Sequence, residues 1–465
     1  MLLEQSSLHT VLRRYLRFSV LASAALLMAG SAAGAAQKAR EPAVRLLNSV
    51  PIPVSAFNTT NGTFSYDISY VDQSDGTYYL ADRSNFAVDA VFAESIVKQI
   101  FPNNGHAPFA GFVPCSPPAG ANDCAGPNGV VAAFPWLFVT DAPSRLLTFD
   151  LRTNPPTTVS EVQLVPGEPT RADELAYDPK DGLILAINNA STPPVATLVA
   201  VDNAGGLTVV KNIFLDAARS GVDATNGAEQ PVWDPRTKKF YLSIPRIGAN
   251  PTVGGVIRIS TTGTVEATYT VTFCSPAGLA VGPHDDLLVG CNTIWATDGS
   301  LWTGNADRNI QTAAPQLVIL DAKTGTITAN ILGAGVGDEV WFNKGDNHYY
   351  AAASGSNLAP NAITPARDPN GIATAAPVLT AQGAATLDVI DALSETLDQR
   401  VPTLNVPAVL ASSGDVNPHP AGTAHSVAAD ASTNHVFVPI AANNALPACL
   451  TGCVLIFGRD DPDQD

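Results

Sequence analysis

A short apolar strand, followed across a Pro/Asp/Gly-rich turn by a second apolar strand, recurs seven times along the chain. The first members are Asp67-Ile-Ser-Tyr70, Gly129-Val-Val-Ala132, Glu174-Leu-Ala-Tyr177, Gln230-Pro-Val-Trp233, Gly278-Leu-Ala-Val281, Glu339-Val-Trp-Phe342 and Ser426-Val-Ala-Ala429. Their partners are Tyr79-Leu-Ala-Asp82, Leu137 to Asp141, Ile184 to Asn188, Phe240 to Ser243, Leu287 to Gly290, Tyr349 to Ala352 and Val436 to Pro439. The apolar runs are short and rich in β-branched and aromatic residues, which is a strand signature. No amphipathic helix separates them, so a parallel βαβ reading fails. A repeat on this scale predicts an all-β fold, a single seven-bladed β-propeller spanning residues 42–459.

Third and fourth strands follow in most copies, such as Leu146-Leu-Thr-Phe149 and Val159 to Leu164 in the second. The seventh copy has only Cys453 to Phe457 before the chain stops. The strand-like run Val44 to Ile52 precedes the first copy. Adding it outside Cys453 to Phe457 closes the ring and removes exposed sheet edges. Turn residues sit where the strands must reverse, as in Asp178-Pro-Lys-Asp-Gly182 and Asp234-Pro-Arg-Thr237.

Residues 1–36 read differently. Arg13, Arg14 and Arg17 precede an apolar stretch from Phe18 to Met28, and Ala33 to Ala36 offers small residues for cleavage. That is the pattern of a secretory signal peptide. Residues 37–41 form a short linker and 460–465 an acidic tail. No later segment is apolar for long enough to span a bilayer as a helix. The expected location is periplasmic or secreted. Export permits disulfides, and the six cysteines fall into three local pairs, Cys115/Cys124, Cys274/Cys291 and Cys449/Cys453. The second pair flanks a hairpin turning near Pro283 to Asp285, which brings its ends together. None of the spacings suits zinc.

The net charge is −17, and the Arg-rich first 36 residues make the remainder more acidic still. Nucleic acid and anionic membranes are poor partners for such a surface. Cations, glycans and small organic ligands are compatible with it. Long irregular segments at 102–127, 293–314, 354–385, 400–424 and 440–452 belong to the two loop classes that share one face of a propeller. Long loops gathered on one face favour a binding role.

The segments Tyr79 to Asn85, Ala424 to Asp430 with Val436 to Pro439, and Leu317 to Gly325 resemble the YncE-like bacterial propellers, including their surface-layer "YVTN" repeats. The resemblance spans nearly the whole chain after residue 36 and implies the fold, while leaving the function open. Glu229-Gln-Pro-Val-Trp-Asp-Pro235 is similar to the opening motif of regucalcin/gluconolactonase propellers, in which the Glu binds a divalent cation. Here it opens the fourth copy rather than the first, so the likeness reaches Glu229 alone.

Aligning the seven first strands predicts two rings at one channel mouth. The outer ring is Tyr66, Asn128, Asp173, Glu229, Ala277, Asp338 and His425, and the next is Asp67, Gly129, Glu174, Gln230, Gly278, Glu339 and Ser426. Hard cations take several oxygen ligands. Glu174, Glu229, Asp338 and Glu339 are therefore candidate ligands for a divalent cation, calcium before magnesium, with hydrogen-bonded structural acids as the alternative. His425 is the candidate general base of a lactone or ester hydrolase. Asp67, Asn128, Gln230 and Arg83 are candidate ligand-binding residues, Arg83 either gripping a carboxylate or pairing with the ring acids. There is no Gly-x-Ser-x-Gly elbow, phosphate loop, dinucleotide fingerprint or His-Glu-x-x-His motif. Two readings stay open: a monomeric propeller binding a small molecule or glycan in its funnel, with or without hydrolysis, and a non-catalytic scaffold that holds a protein or glycan on its loop face.

Overall fold

In the computed structural model the Asp, Pro and Gly positions of the repeat become turns, and the apolar runs become antiparallel strands. Residues 42–112, 115, 122–296, 298–301, 317–334, 336–355, 379–380, 383–384, 386–403, 425–442 and 447–459 are described. The expected signal peptide, linker and acidic tail lie outside them, as do 302–316, 356–378 and 404–424 within the long segments.

The turns have a common chemistry. An Asp at a strand end accepts a hydrogen bond from the amide two residues on: Asp72 from Ser74 at 2.9 Å, Asp178 from Lys180 at 2.9 Å, Asp234 from Arg236 at 3.0 Å, Asp321 from Lys323 at 3.0 Å and Asp430 from Ser432 at 2.8 Å. A short acceptor side chain here satisfies a turn amide that no strand can reach.

Seven four-stranded antiparallel sheets result. Blade 1 runs Tyr66–Val71, Tyr78–Asp82, Ala87–Phe92, Ile96–Ile100, and blade 2 runs Val130–Ala133, Trp136–Asp141, Arg145–Asp150, Thr157–Gln163. Blade 3 runs Leu175–Asp178, Leu183–Asn188, Val195–Val201, Leu207–Phe214, and blade 4 runs Pro231–Asp234, Lys239–Ile244, Val253–Ile259, Val265–Thr272. Blade 5 runs Cys274–Val281, Asp286–Ile294, Leu317–Asp321, Ile327–Ile331, and blade 6 runs Val336–Asn343, His348–Gly355, Thr386–Asp391, Thr396–Pro402. Blade 7 takes Ala428–Asp430, His435–Ile440 and Cys453–Gly458, and its fourth strand is Arg45–Pro51. That strand pairs antiparallel from Arg45 opposite Gly458 to Pro51 opposite Cys453, the closure the sequence predicts.

The alternating strands bury apolar faces between blades rather than inside one centre. Seven clusters fill the seven interfaces. Between blades 3 and 4, for example, Leu185, Ile187 and Leu198 meet Phe240, Leu242 and Ile257, all fully buried. Val50 of the closing strand and Ile52 just after it are buried in the cluster between blades 7 and 1. Ring closure therefore adds core as well as hydrogen bonds.

All three local cysteine pairs are bridged, with Cα separations of 5.2 Å for Cys115–Cys124, 5.2 Å for Cys274–Cys291 and 4.7 Å for Cys449–Cys453. The inner hairpin of blade 5 begins at Cys274, earlier than the apolar run from Gly278 implies. Cys274 sits opposite Ile294 and Cys291 opposite Pro276, so the bridge ties the two strands of that longer hairpin together. Among the described residues no helix is long and apolar enough to cross a membrane.

Candidate functional site

The inner strands and the residues leading into them line the channel, and their register decides which side chains meet. Adjacent blades are stitched at this level. The amides of Ile68, Gln230 and Glu339 donate to the carbonyls of Asn128, Ala277 and His425 of the next blade, at 3.1, 3.3 and 3.3 Å. Two blades carry glycine in the second ring for this reason. A Cβ on Gly129 would lie 2.5 Å from the Asp173 carbonyl oxygen, and one on Gly278 would lie 2.1 Å from that of Asp338. Only glycine admits so close a backbone.

At the mouth the acids are met by cations. Arg83 is 3% exposed and pairs with Asp67 through Nη2, while its Nε donates to Asn128 Oδ1 at 2.8 Å. Asn128 uses its Nδ2 to donate to the carbonyls of Ala125, at 3.0 Å, and Ala172, at 2.8 Å. Arg171 pairs with Asp173 at 2.8 Å and approaches Asp67 at 3.7 Å. His425 bridges two acids, its Nε2 3.0 Å from Asp67 Oδ1 and its Nδ1 2.9 Å from Asp338 Oδ2. Five blades thus supply one charge network. Asn292 of a sixth, blade 5, reaches Asp338 at 3.4 Å.

The electrostatics follow from this pairing. Burial opposes ionisation of Asp67, but the Arg83 charge, the bond from His425 and the Arg171 charge outweigh it and hold the carboxyl well below its usual range. Burial alone would lower the pKa of His425; the charge and hydrogen bond of Asp338, with those of Asp67, raise it well above the usual value. The imidazole is then a cation with both nitrogens engaged. A general base needs an open nitrogen, so the resting arrangement is that of a charged bridge. Burial pushes Asp173 up to about 7 against the pull of Arg171. Glu229 is raised well above its ordinary range by burial and by Asp173 and Asp338.

One ring deeper the pattern changes. Gln230 Oε1 accepts from the Leu279 amide of the next blade at 2.6 Å. Glu339 does the same from the Val427 amide at 2.9 Å, and Ser426 Oγ donates to the same oxygen. Glu174 occupies the equivalent place in blade 3, but the blade 4 residue equivalent to Leu279 and Val427, one after the ring position, is Pro231, which has no N–H. Glu174 Oε2 is accordingly buried without a partner, and so is Glu339 Oε1. Burial raises the carboxyl of Glu174 well above its usual range and that of Glu339 to about 8. These two acids and Gln230 line a cavity of about 280 Å³ that continues down the channel away from the mouth.

The expected residues therefore separate into two sets. Asp67, Arg83, Asn128, Glu229, Asp338 and His425 gather at the mouth, while Glu174, Gln230 and Glu339 line the deeper cavity. Asp67, Arg83 and Asn128 are buried at 5, 3 and 0% exposure and spend their polar groups on one another. They set the positions of other groups, and Arg83 takes its second expected role, pairing with a ring acid. Tyr66 leaves the ring, its hydroxyl donating to the Pro439 carbonyl at 2.8 Å. Among the described residues no group of three or more His, Cys, Asp or Glu side chains is arranged to hold a metal ion. Arg171 escaped the sequence reading. Its place two residues before Asp173, on the same lead-in to blade 3 that carries the ring positions, is the signal that would have found it.

No protein-family model and no curated protein sequence matches the chain. Solved structures similar to it include a chain of the Mitotic Checkpoint Complex at 10% identity and TM-score 0.51, covering 91% of this chain and 93% of that one. Kuenenia stuttgartiensis Hydrazine Synthase matches at 12% identity and TM-score 0.53, covering 89% and 99%. The WD40 β-propeller domain of Doa1 matches at 11% identity and TM-score 0.49, covering 90% and 98%. At such identities the likeness is one of fold. The kinship with YncE-like or regucalcin-type propellers has no matching family behind it.

Proposed function

We propose that this is an exported binding propeller whose charged channel mouth receives a polyhydroxylated ligand, a sugar or short glycan. The observation that carries the reading is the interleaving of donors and acceptors around Asp338 and His425, whose side chains are 29 and 35% exposed. Arg171, 13% exposed, stands in the same network with its Nε buried and unpartnered. Glu229, its ionisation disfavoured by burial and by the charges of Asp173 and Asp338, adds a further carboxyl. A hydroxyl group both donates and accepts, so a polyol matches such a lining group by group. Export is supported by the three bridged cysteine pairs.

A calcium ion at the same mouth has less support, because Arg83, Arg171 and His425 already neutralise the acids there. Lactone or ester hydrolysis would require His425 to release one of its two carboxylates. The reading is tested by titrating mono- and oligosaccharides calorimetrically into the wild type and Asp338→Asn. Expected are saccharide binding and a loss of at least tenfold in the variant, with its melting temperature little changed. Absence of saccharide binding, or equal binding by the variant, overturns the proposal. A calcium-dependent rise in melting temperature that Asp338→Asn and Glu229→Gln abolish would put the metal in its place.

A further inference from the structure

The cavity at the far part of the channel is a second site, built from different chemistry. Its floor is Glu174, Gln230 and Glu339, and its walls carry Tyr70, Tyr177, Trp233, Trp341 and Phe342 from four inner strands. Pro179, exposed to solvent, lies at its rim, so the cavity reaches the surface at the end of the channel opposite the mouth. Two buried carboxyl oxygens lining it, Glu174 Oε2 and Glu339 Oε1, have no hydrogen-bond partner. Glu174 is 9% and Glu339 2% exposed. Among the described residues not one Lys, Arg or His lines the cavity.

A buried carboxyl without a partner loses its hydration and gains nothing in return. At the mouth every comparable acid has a cationic neighbour from the chain itself. Here no cation of the chain touches either carboxyl: His425 acts on Glu339 only through its charge, the charges that act most on Glu174 are all acidic, and Pro231, at the position of Leu279, has no amide to offer it. A ligand that brings both a positive charge and several N–H donors would complete the floor. Aromatic walls favour the same ligand twice over, by burying an apolar body and by attracting a cation to their faces. A neutral sugar would use the rings but bring no charge to favour the ionised carboxylates, whereas an ammonium group draws the protons off as it binds. A divalent cation would use the acids but not the rings.

We infer that this cavity binds a primary organic amine, its ammonium group held by Glu174 and Glu339 and its apolar or aromatic body packed against Trp233, Tyr177 and their neighbours. The site is lined by residues other than those exposed at the mouth, and the inference stands whether or not the mouth takes a saccharide.

The test uses 2-phenylethylamine and its uncharged counterpart 2-phenylethanol, titrated calorimetrically into the intact protein with tryptophan fluorescence followed in parallel, since Trp233 and Trp341 line the site. The amine should bind at least tenfold more tightly than the alcohol. Glu174→Gln should weaken the amine at least tenfold, with the melting temperature of the unliganded protein unchanged or raised, because the carboxyl it removes makes no bond in the fold. Trp233→Leu should weaken both probes and serves as the second variant if Glu174→Gln does not fold. Asn292→Ala, at the mouth and uncharged, should leave amine binding as it is. No binding of the amine, equal binding of the alcohol, a Glu174→Gln protein that binds as well as the wild type, or a loss on Asn292→Ala would each overturn the assignment.

Discussion

Asp67 and Glu174 occupy the same ring position in blades 1 and 3, both are nearly buried, and they live in opposite surroundings. Asp67 has Arg83, Arg171 and His425 about it. Glu174 has other acids and a proline. Against burial, the first is held well below its usual range, most of all by Arg83 of its own blade, and the second is raised well above it by burial and by the charges of other acids. One structural position can thus anchor a charge network or remain open toward a ligand, and the difference comes from residues outside the strand that carries it.

The largest break in this comparison comes from removing the cation that Asp67 leans on most. Arg83→Met should cost about 3 kcal/mol in chemical denaturation, the lower end for a buried pair losing one partner, since Arg171 and His425 remain. Adding Asp67→Asn to it should restore much of that loss, because the stranded charge goes too. A double variant no more stable than the single one would show that packing, and not charge, is what Arg83 provides.

Glu339 sharpens the contrast through pH. Its carboxyl is raised to about 8 and that of Asp173 to about 7, so between their ordinary range and these values the folded protein holds protons that the unfolded chain has released. Their contribution to stability is complete below about pH 4.5 and is lost as pH rises toward 8. Glu339→Gln can keep the bond from the Val427 amide, as Gln230 keeps the one from Leu279. The variant should match the wild type at pH 5 and exceed it by roughly 1–3 kcal/mol at pH 8.5. Denaturation curves that stay parallel across this range would contradict the protonated state.

Pro231→Ala is the smallest perturbation. It gives blade 4 the amide that Glu174 lacks, while freeing the unfolded chain by about 0.4–1 kcal/mol. A new hydrogen bond of about 0.5–1.5 kcal/mol offsets this, so the melting temperature should move little. Amine binding should weaken nevertheless, because the Glu174 carboxyl would then have a partner of its own. An unaltered affinity would mean that the missing amide has no bearing on the site.

Much of the fold was legible along the chain. Alternation with a period of two, Asp-anchored turns and local cysteine pairing are relations between residues a few positions apart, and they give seven blades, the closing strand and the three bridges. The ring positions were legible for the same reason, since each blade repeats the others. What the list of acids did not carry is how their bonds divide. Glu174, Glu229, Asp338 and Glu339 feel one another's charge, but Asp338 bonds His425 while Glu339 bonds Ser426 and the Val427 amide, and Glu174 Oε2 bonds nothing among the described residues.

What the sequence determined by itself was therefore everything that depends on short-range pattern: strand, turn, blade count and the level at which acids enter the channel. What the tertiary structure alone decided was who faces whom across a blade boundary. His425 meets Asp67 across 358 residues, and Glu339 meets Val427 across 88. Those partners are chosen by how the sheets pack and twist against one another, and no local periodicity carries that register. The same packing buries Glu174 Oε2 without a partner among the described residues, where blade 4 carries Pro231 at the position from which Leu279 and Val427 donate.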